Sequence, residues 1–397
     1  MSTTDQLTAS YSGTKGPLFG LAFKTSLLTM LTLGIYRFWA KTRIRKYIWS
    51  SINIGGDRLE YTGTGLEKFL GFLVAVVVLA VYLGLVQLAF FYFGLHFVFE
   101  PTTEAEILAQ LAIIYGSFIA ILPLILFASY RARRYILART RFRGIRFGMD
   151  SAAWGYVWRA IGHGILTALT LGILLPRQTY WLEKYKTDRS HFGDQRFEQG
   201  GKWTALYPAM THVFIGLGIL VAGAVSLAML DTPGLGIALG VIGYIWLFTG
   251  YIHYGVQSFA YLMDTKKLGD DVGFVAKPRT GKVIGIYLLG GLIVGAIAAL
   301  IFGAAGGITA MMVMSLDGSG SAPSAGMALV PLLLYVVALV VIGTLGLVFI
   351  SQPIIAHFVE TLSVFNPAAL DAIGQRAYDK GADAEGFADA LDVGAAI

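Results

Sequence analysis

Six apolar stretches dominate the pattern of hydrophobic and polar positions along the chain. Each exceeds the roughly 20 apolar residues that a helix needs to cross the hydrocarbon core of a bilayer, whereas strands and core helices of soluble proteins have shorter apolar runs. The stretches follow one another in pairs, which predicts three long helical hairpins in a multi-pass membrane protein. They comprise residues 69–93, 107–128, 205–230, 234–261, 283–314 and 327–350.

Two shorter apolar segments precede the first two hairpins. Residues 31–35 and residues 169–173 both read Leu-Thr-Leu-Gly-Ile, and Lys24 and Arg159 interrupt the apolar residues that lead to them. A cation at the bilayer centre costs roughly 3 kcal/mol on insertion scales, and basic stretches flank each segment on both sides. We therefore expect each segment to be re-entrant or interfacial, entering and leaving on the cytoplasmic side. Full spanning is the alternative.

The recurrence of this pattern predicts internal repeats, each made of a short segment and a long hairpin. The predicted fold class is an all-α integral membrane protein with small cytoplasmic β elements, such as a strand pair in residues 51–63. Tyr11-Ser12-Gly13 and Phe142-Arg143-Gly144 are taken as equivalent starting points of two repeats. The predicted divisions are a cytoplasmic N-terminal tail (1–16), repeat 1 (17–130), repeat 2 (131–265), a degenerate repeat 3 (266–365) and a cytoplasmic acidic tail (366–397).

Charge is scarce and unevenly distributed. Hydrophobic residues make up 56% of the chain and charged residues 14%, against roughly a quarter charged in soluble domains. Lysine and arginine are absent from residues 69–130, 203–265 and 283–375 and crowd into the blocks between them. This is the positive-inside pattern. It predicts that both termini and every basic block are cytoplasmic, and that the partners are anionic lipid headgroups rather than nucleic acid, although the net charge is +6.

Basic side chains next to the apolar stretches are the candidates for headgroup contact. Some recur at helical spacing beside Phe38, Ile44 and Ile48, as in a helix that lies in the membrane interface. Each cation near an anionic surface contributes about 1 kcal/mol of attraction. The predicted headgroup contacts are Arg37, Lys41, Arg45, Lys46, Arg131, Arg133 and Arg134.

The acidic tail has two predicted arrangements. Leu370 with Ile373, and Phe387 with Leu391, have the spacing of short amphipathic helices. A tail docked across the basic face and held by Phe387 and Leu391 is one arrangement, and a solvated tail is the other.

Three runs of sequence resemble the YjgN-like family of bacterial inner-membrane proteins. The runs are Leu-Thr-Leu-Gly-Ile-Tyr-Arg-Phe-Trp-Ala-Lys at 31–41, Arg-Leu-Glu-Tyr-Thr-Gly-Thr-Gly at 58–65 and Glu-Gly-Phe-Ala-Asp-Ala-Leu-Asp-Val-Gly at 385–394. The resemblance covers essentially the whole chain and implies a location in the bacterial inner membrane. It implies no activity and no catalytic residues, because the family is one of unknown function.

The sequence predicts a protein without catalysis or cofactors. It contains no P-loop, zinc-protease or nucleophile-elbow motif, and it has no cysteine, so thiolate chemistry and disulfides are excluded.

Polar residues inside or beside the apolar stretches are the default candidates for a functional site in a bilayer. Together with repeats and re-entrant segments, they favour a transporter or channel for a small solute or lipid. The missing motifs and the basic interfacial surface favour a non-catalytic membrane scaffold or assembly factor instead. The candidate intramembrane site comprises Arg159, His163, His212, His253, Gln257, Gln352 and His357.

Overall fold

The computed structural model describes residues 6–229, 232–317 and 325–376. The chain divides into two compact units. Unit 1 comprises Met1–Leu59, Ala205–Thr265 and Gly273–Pro367, and unit 2 comprises Glu60–Thr204, Lys266–Val272 and Ala368–Ile397.

The described residues are mainly helical, and the helices are numbered here in chain order. A short 3₁₀ turn, Trp203–Leu206, precedes the seventh, and a π-helical segment, Leu347–Ser351, joins the tenth to the eleventh. The helices are α1 Lys15–Leu31, α2 Arg37–Ser50, α3 Gly65–Tyr92, α4 Glu104–Ala138, α5 Ala153–Leu169, α6 Leu175–Thr187, α7 Tyr207–Met229, α8 Pro233–Asp264, α9 Thr280–Asp317, α10 Ala325–Gly346, α11 Gln352–Glu360 and α12 Ala368–Asp371.

Six helical stretches among the described residues are long and apolar enough to cross a membrane. They coincide with the six apolar stretches of the sequence, so the prediction of six long apolar helices is confirmed. The stretches are Gly65–Tyr92, Glu104–Ala138, Trp203–Met229, Pro233–Asp264, Thr280–Met314 and Pro331–Glu360.

The predicted fold class, all-α with small β elements, is wrong. Ten antiparallel strands form a closed barrel in the order β1-β10-β9-β8-β7-β6-β5-β4-β3-β2. Only the strand pair predicted in residues 51–63 is confirmed, as β2 and β3. The strands are β1 Gln6–Tyr11, β2 Ile52–Ile54, β3 Asp57–Tyr61, β4 Thr140–Phe142, β5 Ile145–Met149, β6 Ser190–Phe192, β7 Gln195–Gln199, β8 Lys266–Leu268, β9 Val272–Ala276 and β10 Leu362–Phe365.

The sequence does not predict most of these strands because they are short. None is longer than six residues, and apolar-polar alternation becomes a usable signal only over about four to eight residues. Their turns look instead like repeat markers. Arg143-Gly144 is the tight turn between β4 and β5, whereas Tyr11-Ser12-Gly13 ends β1 and leads into α1. The two motifs taken as equivalent repeat starts are therefore not structurally equivalent.

The two Leu-Thr-Leu-Gly-Ile segments adopt the same turn. Leu33 and Leu171 have φ of 50° and 49°, and the glycines after them have φ of 92° and 88°. The Gly34 N–H donates to Thr29 O over 2.7 Å, and the Gly172 N–H donates to Thr167 O over 2.8 Å. These bonds satisfy carbonyls that a helix end otherwise leaves without partners. Each turn joins two helices, α1 to α2 and α5 to α6.

Strand pairing brings the two ends of each of these helix pairs together. In unit 1, β1 precedes α1, β2 follows α2, and the two strands pair, with Ala9 opposite Ile54. In unit 2, β5 precedes α5, β6 follows α6, and they pair with Gly148 opposite His191. In each helix pair, the start of the first helix and the end of the second are therefore held close together.

Glycines allow α7 and α8 to pack closely within unit 1. A Cβ atom on Gly216 would lie 2.6 Å from the Leu247 backbone nitrogen, and one on Gly250 would lie 2.8 Å from the His212 carbonyl carbon. No other residue type leaves room for such a backbone approach, as in small-residue packing of membrane helices.

The first part of the predicted acidic tail is docked on unit 2. Leu370 and Ile373 are buried, Arg143 pairs with Asp371 at 2.7 Å, and the Asp194 N–H donates to Gly374 O over 2.9 Å. The proposed anchors Phe387 and Leu391 lie outside the described residues.

We predict that Gly216→Ala destabilises the protein. The new methyl group would meet the backbone of Leu247, which cannot move aside as a flexible side chain can, and overpacking of this kind costs typically 1–3 kcal/mol. Gly218→Ala is the matched control, because nothing lies within 4 Å of its added Cβ. Thermal unfolding in detergent, followed by circular dichroism, should give a lower Tm for the first variant only. Equal Tm values for both variants would contradict the close packing.

Candidate functional site

Three residues of the predicted intramembrane site meet in unit 1. The rings of His212 on α7 and His253 on α8 lie 4.9 Å apart in a T-shaped arrangement. The His253 Nδ1 lies 3.1 Å from the Thr280 hydroxyl at the start of α9, and Gln257 Nε2 donates to the same hydroxyl over 3.4 Å. Polar side chains from α7 and α8 thus converge on the first residue of α9.

The predicted residues near the end of the chain are buried in unit 1. His357 accepts a hydrogen bond at Nε2 from the Arg279 N–H over 2.8 Å, which places its ring next to the segment that leads to Thr280. Gln352 follows the π-helical segment, and its Oε1 has no hydrogen-bond partner. His357 is therefore held by a backbone contact, as an ordinary structural imidazole is.

Arg159 and His163 belong to α5 in unit 2. The Arg159 guanidinium lies 4.7 Å from the ring centre of Tyr185, and Arg177 Nη1 lies 3.0 Å from His163 Nδ1. Burial, with the positive charges of Arg177 and Arg159, lowers the pKa of His163 below its ordinary value, so the ring is neutral at pH 7. The seven predicted residues thus fall into separate groups in two units.

The predicted headgroup residues of α2 differ in their surroundings. Arg37 lines an open apolar groove of about 750 Å³ together with residues of α1 and α10. Lys46 is exposed and Lys41 is half-buried. Arg45 is fully buried, with its guanidinium 5.8 Å from the ring centre of Trp49. Headgroup contact is therefore the wrong role for Arg45, because its side chain has no surface to present.

The sequence did not predict a half-buried ionic cluster in unit 2. Glu183 on α6 binds the Arg133 guanidinium through both oxygens, at 2.9 and 3.0 Å. Lys186 Nζ lies 3.0 Å and Lys266 Nζ 3.7 Å from the same carboxylate. Burial alone would raise the pKa of Glu183, but Arg133, Lys186 and Lys266 outweigh it and hold that pKa well below its ordinary value. One carboxylate thus neutralises part of the charge of three cations, which come from separate stretches of the sequence.

Polar side chains also mark one broad face of α4 in unit 2. Gln87 Nε2 on α3 donates to the Ser117 hydroxyl over 3.1 Å, and the Tyr82 hydroxyl donates to Ala120 O over 2.9 Å. Gln110 Oε1 is buried without a hydrogen-bond partner. We call Tyr82, Gln87, Gln110 and Ser117 the α3–α4 polar row.

The same face of α4 continues to a basic cavity. Phe127, Arg131 and Arg134 follow Ala120 at spacings of seven, four and three residues, which keep them on one side of a helix. They line a cavity of about 340 Å³ together with the start of α5. The distance along the helix from Gln110 to Arg131 is about 31 Å at 1.5 Å per residue, close to the roughly 30 Å thickness of a bilayer core.

We predict that Glu183→Gln strongly destabilises the protein. The substitution leaves Arg133, Lys186 and Lys266 together without their anion. Breaking a fully buried ion pair costs about 3–5 kcal/mol, and the loss here should be smaller because the four side chains are 14% to 31% exposed. Glu198→Gln is the control, because Glu198 is an exposed glutamate on the nearby strand β7. Chemical unfolding at pH 7 should separate the two variants, and equal stability would show that the cluster does not stabilise the fold.

The loss of stability in acid provides a second test of the same cluster. The folded pKa of Glu183 lies below its unfolded value, about 4.3, so its contribution is complete above that pH and is lost as pH falls through the folded pKa. The Glu183→Gln variant should lack this part of the acid sensitivity.

Comparison with known proteins identifies the chain's relatives. The family described as "Bacterial protein of unknown function (DUF898)" matches residues 6–390. The protein named "Inner membrane protein YjgN" from Salmonella typhimurium (strain LT2) is 25% identical over 264 residues, which are 65% of this chain and 53% of that protein. Its namesake from Escherichia coli O157:H7 is 27% identical over 162 residues, 41% of this chain and 36% of that protein.

The matched region thus spans about half the length of the first relative and less of the second. No solved structure matches the chain. Relatives named as inner-membrane proteins agree with the six apolar helices of the fold. The match over residues 6–390 shows that the chain belongs to this bacterial family of unknown function.

Proposed function

We propose that the protein is a transporter that moves phospholipid between the two leaflets of the bacterial inner membrane. The observation that carries the proposal is the α3–α4 polar row, which leads along one face of a spanning helix to the basic cavity at Arg131 and Arg134. The role proposed is passive and non-enzymatic, and anionic lipids are its partners.

Exposure of the spanning helices favours a lipid over a small solute as cargo. In the most apolar stretch of each helix, only 6% to 22% of the residues are buried. Gln87 is exposed on α3 although it is polar. A polar row beside exposed apolar surface suits a molecule whose headgroup follows the row while its acyl chains stay in the bilayer.

The energetics of headgroup transfer support this reading. A polar group that enters hydrocarbon without a hydrogen bond costs several kcal/mol, and polar residues inside membranes are expensive and usually functional. Each hydrogen bond that the row offers to a passing headgroup offsets about 1 kcal/mol of that cost. The structural alternative is that Gln87 and Ser117 only hold α3 to α4, as polar pairs in membrane helices do.

We further propose that both termini and the basic blocks face the cytoplasm, as the partition of lysine and arginine indicates. In that orientation the basic cavity lies on the cytoplasmic side and Gln110 lies in the outer part of α4.

A scaffold or assembly factor is the second candidate. The close packing of α7 on α8 through Gly216 and Gly250 makes a rigid pair, and the wide exposed apolar faces would suit partner helices as well as lipid. A protein that binds lipid without moving it would fit this role.

We predict that purified protein in liposomes moves fluorescent phospholipid between leaflets and that Gln87→Leu with Ser117→Ala slows it. Two lost hydrogen-bonding groups, each contributing about 1 kcal/mol, correspond to a rate at least about tenfold lower. The measurement is the reduction by external dithionite of a nitrobenzoxadiazole-labelled lipid in vesicles of phosphatidylcholine and phosphatidylglycerol.

Thr249→Val is the control for loss of a polar group from a span. Thr249 lies half-buried on α8, and its hydroxyl donates to carbonyls of its own helix, at Ile245 and Trp246. Its rate should equal that of the wild type. Labelled lipid that stays as protected as in protein-free vesicles would refute transport and favour the scaffold.

A further inference from the structure

The basic cavity of unit 2 is built by α4 and the start of α5. Arg131, Arg134 and Tyr130 line it from α4, and Trp154 lines it from the start of α5. Ser151, which immediately precedes α5, completes the lining. Its volume of about 340 Å³ falls at the lower end of the range for small-molecule sites.

Its walls are fixed by hydrogen bonds to one stretch of backbone. The Tyr130 hydroxyl donates to Asp150 O over 2.8 Å, and Arg134 Nε donates to Met149 O over 3.1 Å. Arg134 is itself more than nine-tenths buried, at 7% exposure. The guanidinium is therefore held at the cavity wall before any ligand arrives, which lowers the entropic cost of binding.

The charge of the cavity is positive. Two arginines line it, and none of its described lining residues is acidic. The nearest carboxylate in the sequence, Asp150, pairs with Arg196 at 3.1 Å. Guanidinium groups bind phosphate with planar, paired hydrogen bonds, and the serine hydroxyl supplies a further donor. The lining thus suits a phosphate and offers no carboxylate to an ammonium group.

One wall of the cavity is aromatic and open to the surroundings. The rings of Phe127 and Trp154 lie 5.1 Å apart, and Trp154 is 54% exposed. Exposed tryptophan next to arginine is typical of the headgroup layer of a membrane. A ligand with a phosphate at one end and acyl chains at the other would place the chains along this wall and along α4.

We propose that the cavity binds one anionic phospholipid, with its phosphodiester between Arg131 and Arg134 and its acyl chains against Phe127 and Trp154. The positive lining selects a headgroup without an ammonium group, such as phosphoglycerol, over a zwitterionic one. The inference deepens the proposed function, because the role of this site as the start of transport rests on it. Binding itself is tested separately.

The test is a titration of the detergent-solubilised full chain with phosphatidylglycerol that carries brominated acyl chains, which quench nearby tryptophan fluorescence. The chain has seven tryptophans, so the signal used is the part of the quenching that Trp154→Phe abolishes. Wild-type protein and the control Arg58→Gln, an exposed arginine on β3, should bind equally. Arg131→Gln should raise the apparent Kd about tenfold, because a charge-assisted hydrogen bond contributes about 1.5–3 kcal/mol.

A second variant keeps the charges and removes the space. Ala153→Leu, at the start of α5, fills the cavity and should also abolish the Trp154 signal, while thermal unfolding shows whether each variant is folded. Unlabelled phosphatidylcholine and inorganic phosphate should not compete. The inference is overturned if both variants bind as the wild type does, if brominated phosphatidylcholine quenches equally, or if inorganic phosphate competes and thereby shows a free-anion site.

The results also separate the two proposals. Lipid binding without movement between leaflets would overturn the proposed transport and leave this site in place. Transport that persists in folded Arg131→Gln without lipid binding would overturn this site alone.

Discussion

In this protein, backbone hydrogen bonds between short strands hold together the two ends of the helical segments that connect those strands. Strand β1 pairs with β2 at the two ends of the α1–α2 segment, and β9 pairs with β10 at the two ends of the segment that contains α9. An isolated pair of such short strands is marginally stable by itself. Closure of ten of them into a barrel leaves no open edge. We infer that the long helices leave the barrel and return to it in pairs, with all the barrel strands on one side of the membrane.

Strand pairing also bears on whether the two short Leu-Thr-Leu-Gly-Ile segments cross the bilayer. The ends of the α1–α2 pair meet, so both helices cross the bilayer or neither does. We expect neither to cross, because α2 carries five cations in 14 residues and a cation costs about 3 kcal/mol at the bilayer centre. The tip between the helices exposes Leu33 almost completely, as expected of a loop that dips into apolar surroundings and returns. In unit 2, the α3–α4 polar row and the basic cavity give the proposed lipid path a chemical gradient, from uncharged polar groups to two arginines.

The sequence predicts those elements that are marked by a long apolar pattern or by a recognisable turn. The six apolar helices, the helical stretch that begins at Arg37 and the strand pair around Gly55-Gly56 all follow from periodicity, length and turn residues. The barrel did not, because strands of three to six residues are too short to show a clear alternation and their pairing is set by distant partners. The function of the predicted intramembrane residues stays a prediction. His212, His253 and Gln257 meet, but Thr280 was missed as an ordinary threonine at a helix start. Glu183 was missed because its three cations come from separate segments, which only the fold brings together.

Cysteine labelling tests most directly whether all the barrel strands lie on one side of the membrane. The chain has no cysteine of its own to remove. Glu100 lies exposed in the connection from α3 to α4, and Asp270 lies exposed in the turn from β8 to β9. In intact bacterial cells, a membrane-impermeant maleimide should label Glu100→Cys and should leave Asp270→Cys unlabelled until the membrane is permeabilised. Labelling of both variants in intact cells would place barrel strands outside the cytoplasm and contradict the account.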